Sequence, residues 1–172
     1  MRKLLYLMAF LYSSIILAQN ELPIAFGYEF RTSGPNMDHM FFLDKNVSTK
    51  VNLRGTYRRL DKVWKSPPPI FKIPIESNVL GLDVEYMCKL SHYQLSLSAG
   101  AIAFKAKSYS NGGDTKWFVS PTTFLSVQAK IYNKLYLGGR IGSLWFINTD
   151  LYHNFSGVRH EEFSLFLKYQ IN

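Results

Sequence analysis

The sequence predicts an all-β fold: an eight-stranded, antiparallel, up-and-down transmembrane β-barrel over residues 19–172, behind a signal peptide over residues 1–18. Three observations predict it. Long segments alternate in polarity with a period of two. The gaps between them are short and long by turns, apart from the first. Tyrosines and tryptophans fall near the segment ends.

The stretch from Trp117 to Ile147 shows the pattern best. Trp117, Val119, Thr123, Leu125, Val127, Ala129 and Ile131 alternate with Ser120, Thr122, Ser126, Gln128 and Lys130; Phe118 and Phe124 are apolar exceptions on the polar side. After a tight turn at Asn133-Lys134, Leu135, Leu137, Gly139, Ile141, Trp145 and Ile147 oppose Tyr136, Gly138, Arg140 and Gly142. A period of two means a strand with different surroundings on its two faces. Strands in soluble proteins run about five or six residues. These run twice as long, the length that a tilted strand needs to cross a bilayer.

The leader comes first. Arg2 and Lys3 precede an apolar run from Leu4 to Leu17, and Ala18-Gln19 supplies a small residue at a cleavage point. The run is short for a helical span of roughly 20 residues. No cysteine lies near the cut, which argues against a lipidated N-terminus. Removing 18 of 172 residues leaves 154, and loss of Arg2 and Lys3 lowers the formal charge from +8 to +6. In an exported chain that excess points to anionic head groups or sugars rather than nucleic acid. Cys88 is the only cysteine, so no intrachain disulfide can form.

Leu22–Arg31 is the first predicted strand, and Ser33-Gly34-Pro35-Asn36 the turn that follows it. Met37–Leu43 is a shorter second strand, ending at a turn over Asp44-Lys45-Asn46. Val47–Arg59 sets Val47, Val51, Leu53 and Tyr57 against Lys50, Asn52, Arg54, Thr56 and Arg58. Pro67-Pro68-Pro69 cannot sit in a ladder, so 60–77 reads as a loop. Asn78–Cys88 and Tyr93–Ala106 follow as a hairpin, then a loop over 107–116 with Asn111-Gly112-Gly113-Asp114. After the Trp117–Ile147 hairpin come a loop over 148–160 and the closing strand Glu162–Ile171. Pro121 lies inside the sixth strand and requires a rim position or a bulge.

With both termini on the periplasmic side, loops 32–36, 60–77, 107–116 and 148–160 are external and turns 44–46, 89–92 and 132–133 are periplasmic. Tyr57, Trp117 and Trp145, with Phe30, then fall near the external rim. Tyr86, Tyr93 and Tyr169 fall near the periplasmic rim, giving two aromatic girdles.

Export signal, eight long amphipathic strands and a closing Phe163–Ile171 together resemble small bacterial outer-membrane β-barrel proteins of the OmpA/OmpX-like eight-stranded type. The Ala18-Gln19 leader ending is similar to those of the Bacteroidetes lineage. Ending in Asn172 rather than an aromatic departs from the family's C-terminal signal. The resemblance implies contact with outer-membrane lipid, insertion by the barrel-assembly machinery, and an envelope protein partner met through the external loops.

By alternation, Glu29, Arg31, Asp38, Lys50, Arg54, Arg58, Asp83, Glu85, Lys130, Arg140 and Lys168 point inward. An eight-stranded barrel is just filled by its side chains. Buried charges must pair, so Glu29, Asp83 and Glu85 are expected to meet Arg54, Arg58 or Arg140. Paired, they make a structural plug. The excess of base over acid in this set also suits a narrow, anion-preferring pore. Tyr109, Trp64, Phe71 and Lys62, Lys65 and Lys72 are the expected contact groups on the external loops.

Two other readings are weighed. A soluble, exported, calycin-like barrel binding an apolar ligand would carry its apolar residues inside and its charges outside. A lipid A deacylase-like hydrolase would use His153, Ser156, His160 and the pair Glu161-Glu162, but His153 and Ser156 are three apart, which on a strand puts them on opposite faces. The four histidines lack metal-ligand spacing and Asn111–Asp114 is not a phosphate loop, so no metal or cofactor is expected.

Overall fold

Period-two alternation needs a partner on each side of every strand, and closure supplies both. The computed structural model describes residues 22–33, 36–60, 64–65, 72–73, 77–107, 115–146 and 158–171. Eight strands form one closed barrel: β1 (Ile24–Ser33), β2 (Asn36–Asn46), β3 (Val51–Leu60), β4 (Ser77–Leu90), β5 (Tyr93–Lys107), β6 (Thr115–Tyr132), β7 (Leu135–Phe146) and β8 (Val158–Gln170). Each pairs antiparallel with its sequence neighbours, and β1 closes on β8 with Phe26 opposite Tyr169 and Thr32 opposite Phe163. No edge strand is left to attract another chain. A two-residue ladder, Trp64–Lys65 against Lys72–Ile73, stands outside the barrel between β3 and β4.

The two faces differ as the alternation requires. Leu97, Leu137 and Leu165 are 63%, 50% and 52% exposed, while Arg54, Asp83 and Arg140 are 1%, 4% and 1% exposed. Apolar residues form the outside and ions the inside. A soluble ligand barrel has the reverse arrangement, so the calycin-like reading is set aside.

The strand ends correct the sequence reading in several places. β2 runs through Asp44, Lys45 and Asn46, whose composition reads as a turn; the turn is at 47–50 instead. Ser48 explains the shift, because its Oγ accepts the Lys50 and Val51 backbone N–H groups at 3.2 and 3.0 Å. Asp44 is therefore a strand residue facing inward, and Lys50 is an exposed turn residue. Lys130 is also exposed, since a register shift between Lys130 and Tyr132 ends the regular alternation there. β8 starts at Val158, earlier than expected, paired with Phe146.

The two-residue turns Ser91-His92 and Asn133-Lys134 each begin with a left-handed residue, Ser91 at φ 47° and Asn133 at φ 32°. Such turns match the twist of the strands they join. Pro121 is opposite Ala101 of β5, while the β6–β7 register begins one residue later at Thr122 and Leu144. The proline therefore sits where β6 leaves one neighbour, at the rim position that its missing N–H requires.

Candidate functional site

Among the described residues, the lumen is where chemistry-bearing side chains converge. On its wall the inward positions of β1–β8 alternate between charge, hydroxyl, aromatic ring and glycine. Phe42, Phe124 and Phe166 project inward at a parity that is mostly polar, and all three are buried. Glycines on adjacent strands make room for them. A Cβ on Gly27 would collide with the Phe42 ring, and one on Gly138 with the Phe166 ring. At Gly142 it would meet Phe124 Cα at 2.7 Å.

Guanidinium groups lie on these rings. Arg54 is 4.3 Å from the Phe42 centroid and 5.4 Å from Phe166, and Arg140 is 4.0 Å from Phe124. Each ring thus presents its negative face to a cation in a water-poor space, where such contacts are stronger than at a surface.

The carboxylates complete the arrangement. Arg54 Nε and Nη2 donate to Asp44 at 2.7 and 2.8 Å, and its Nη1 lies 3.1 Å from Glu85. Asn52 donates to the second Glu85 oxygen at 2.8 Å, and Lys168 Nζ is 3.4 Å from Asp44. Arg140 Nη2 donates to Asp83 at 2.7 Å and to Ser98 at 2.9 Å, and Thr122 donates to the other Asp83 oxygen at 2.7 Å. Glu29 accepts from Arg31 at 2.9 Å and from Ser164 at 2.5 Å. Toward the long-loop end, Glu162 joins Arg31 and Arg58, and Arg58 also holds Asp38.

Every one of the eight strands contributes a side chain to this network. Its two ends are lined differently. On the long-loop side Phe104 and Phe118 stack at 6.0 Å beside buried Ile102 and Leu144. On the short-turn side Gln128 donates to Gln94 at 3.0 Å, and Tyr136 donates to Gln170 at 3.3 Å.

The six residues expected as the lumen network, Glu29, Arg54, Arg58, Asp83, Glu85 and Arg140, are all buried here. Asp83 meets Arg140 and Glu85 meets Arg54, as pairing required. Glu29 turns mainly to Arg31, with Arg140 at 3.9 Å. Asp44 and Glu162 were missed. Turn-like composition hides Asp44, and its acidic pair with Glu161 draws Glu162 into the hydrolase cluster, although both have the parity of their strands' inward residues. With them included, and Lys50 and Lys130 outside, the described lumen holds six buried carboxylates against five buried cations. The cation excess behind the anion-pore reading disappears.

Glu162 is also lost to the hydrolase constellation, because Arg31 and Arg58 hold it inside the barrel. His153 and Ser156 lie outside the described residues, as does the His160 side chain. Of the girdle residues, Tyr57, Trp117 and Trp145 stand toward the long-loop end, and Tyr86, Tyr93 and Tyr169 toward the short-turn end. Tyr57 donates to Asn78 at 3.0 Å, Trp145 to Thr123 at 3.4 Å, and Lys105 Nζ lies 5.2 Å over the Trp117 ring. Cys88 is exposed on the outer face.

Comparison with solved structures gives the same architecture. The N-terminal β-barrel domain of Pseudomonas aeruginosa OprF matches with a TM-score of 0.62 at 9% identity, over 87% of this chain and 97% of that one. The Yersinia pestis outer membrane protein Ail in a phospholipid bilayer nanodisc matches at 0.56 and 10% identity, over 87% and 99%. Neisserial surface protein A matches at 0.53 and 12% identity, over 86% and 94%. No family model matches the sequence, and no curated protein does. The fold is that of the eight-stranded outer-membrane β-barrels. Fold and apolar outer surface together place this barrel in a bacterial outer membrane.

Proposed function

We propose that the chain is exported, loses residues 1–18, and serves as a structural outer-membrane barrel whose lumen is plugged by its own side chains. The observation that carries this reading is the ion network drawn from all eight strands. A continuous water column would have to part Arg140 from Asp83 and Arg58 from Glu162, pairs that reach across the lumen between non-adjacent strands, and breaking a buried pair costs several kcal/mol. The plug ties the strands together across the barrel instead of opening a path through it.

The external loops are then the working surface, in adhesion or in accessory contact with an envelope protein. Lys62, Lys65 and Lys72, close in sequence to Trp64 and Phe71, suit anionic, sugar-bearing partners. One solved Ail structure, with a TM-score of 0.50 at 11% identity, is a complex with the heparin analogue sucrose octasulfate. Insertion by the barrel-assembly machinery would use the chain's closing segment Phe163–Ile171, all but the last residue of which lies in β8. The test of the plug is conductance in a planar bilayer. The refolded, heat-modifiable protein should add no steps above the bare membrane. Stable, reproducible open-channel steps would reject the plugged lumen.

A further inference from the structure

Ionic groups are distributed very unevenly outside the lumen. Of the seven carboxylates whose side chains the structure describes, six are buried inside, and the seventh, Glu161, stands toward the long-loop end opposite Ser143. At the short-turn end no carboxylate is exposed among the described residues, but cations recur at all three turns. Lys45 and Lys50 stand at the β2–β3 connection, Lys89 at the end of β4, Lys130 at the end of β6, and Lys134 in the β6–β7 turn. Lys50, Lys89 and Lys130 are exposed.

These cations are interleaved with outward tyrosines and aliphatics. Tyr86, Leu90, Tyr93, Ile131 and Tyr132 are all exposed at the same end. Such a rim places an amphipathic ring and a long flexible cation at the depth where hydrocarbon gives way to head groups. The turn backbones that carry the cations are themselves fixed. The Met87 N–H donates to the Lys50 carbonyl at 2.7 Å and the Gln170 N–H to the Lys134 carbonyl at 2.9 Å.

We propose that this short-turn rim is a basic collar that holds the phosphates of anionic phospholipids in the leaflet on the periplasmic side. The distribution favours lipid over a soluble acidic partner: the charges are spread over all three short turns, at the same level as exposed tyrosines and aliphatics, and do not gather into one patch. The inference rests on the membrane-spanning reading of the barrel.

The test uses the full chain in vesicles of phosphatidylcholine containing a minor share of phosphatidylglycerol. Spin-labelled phosphatidylglycerol and phosphatidylcholine report which lipid is immobilised at the protein. The wild type should retain the anionic lipid about fivefold over the zwitterionic one at low salt, the scale expected when at least one lysine acts on each bound head group. Lys50→Gln/Lys89→Gln/Lys130→Gln should bring the ratio close to one. Arg59→Gln/Lys105→Gln, at the opposite end, should leave it unchanged.

Equal retention of both lipids by the wild type would overturn the collar, and so would a preference that survives the triple substitution. Binding of soluble polyglutamate without any lipid preference would overturn it in favour of an acidic polymer. Failure to insert, seen separately as loss of heat-modifiable migration, would overturn the membrane reading together with the collar.

Discussion

Arg54 and Asp44 are direct cross-strand partners of β3 and β2, and their side chains meet inside the barrel through two hydrogen bonds of 2.7 and 2.8 Å. The forked geometry joins a planar cation to a planar anion with both ends satisfied. It lies in a space that neither group would enter alone.

Breaking that pair should therefore be expensive. Asp44→Ala leaves Arg54 with Glu85 only and removes the carboxylate near Lys168. A loss of about 3–5 kcal/mol is expected, the scale for removing one partner of a buried ion pair. Urea unfolding of the barrel in lipid vesicles measures it, and a loss below about 1 kcal/mol would mean that water reaches the pair.

The glycines make a paired prediction. Gly142→Ala puts a methyl group against Phe124 Cα at 2.7 Å and against the Thr123 carbonyl, and backbone cannot yield cheaply. It should cost about 1–3 kcal/mol as overpacking. Gly139→Ala, whose nearest neighbours, Leu165 Cδ2 and the Ser164 carbonyl, stand at 3.7 Å, should be close to neutral. The same unfolding experiment reads both, and equal losses would contradict the notch-and-ring packing.

Leu137 is opposite Leu167 of β8 and Ala129 of β6, on the outer face. Leu137→Arg, three residues into β7 from the short turn, should destabilise the inserted barrel by about 1–2 kcal/mol, because the penalty for a lipid-facing arginine falls from the midplane toward the interface. On a soluble barrel the same exposed substitution would fall within about 0.5 kcal/mol of the wild type. Comparing folding yields of Leu137→Arg and Leu137→Ala in vesicles distinguishes the two.

Much of this was legible in the sequence, for a physical reason. Alternation is a local property, so it reveals face, strand number and the inward set as long as a strand stays regular. It fails at strand ends. Lys50 and Lys130 have inward parity but lie where the ladder has stopped, and parity carries no information there. Asp44-Lys45-Asn46 has the composition of a turn, yet Arg54 waits opposite Asp44 and extends the ladder through it. That partner is ten residues away, and only the register reveals it. Phe124 was visible as an apolar exception on a polar face. Its purpose depends on Gly142 and Arg140 on the next strand, which periodicity cannot place beside it.

The proposition under all of this is that hydrocarbon surrounds the outer face while the ions turn inward. Spin labels at single cysteines replacing Leu97, Leu137 and Leu165, on a Cys88→Ser background in lipid vesicles, test it directly by collision with oxygen and with a water-soluble nickel complex. The barrel described here predicts high oxygen and low nickel accessibility at all three, and the reverse at a label replacing Lys50. Nickel accessibility at Leu97, Leu137 and Leu165 equal to that at Lys50 would contradict it.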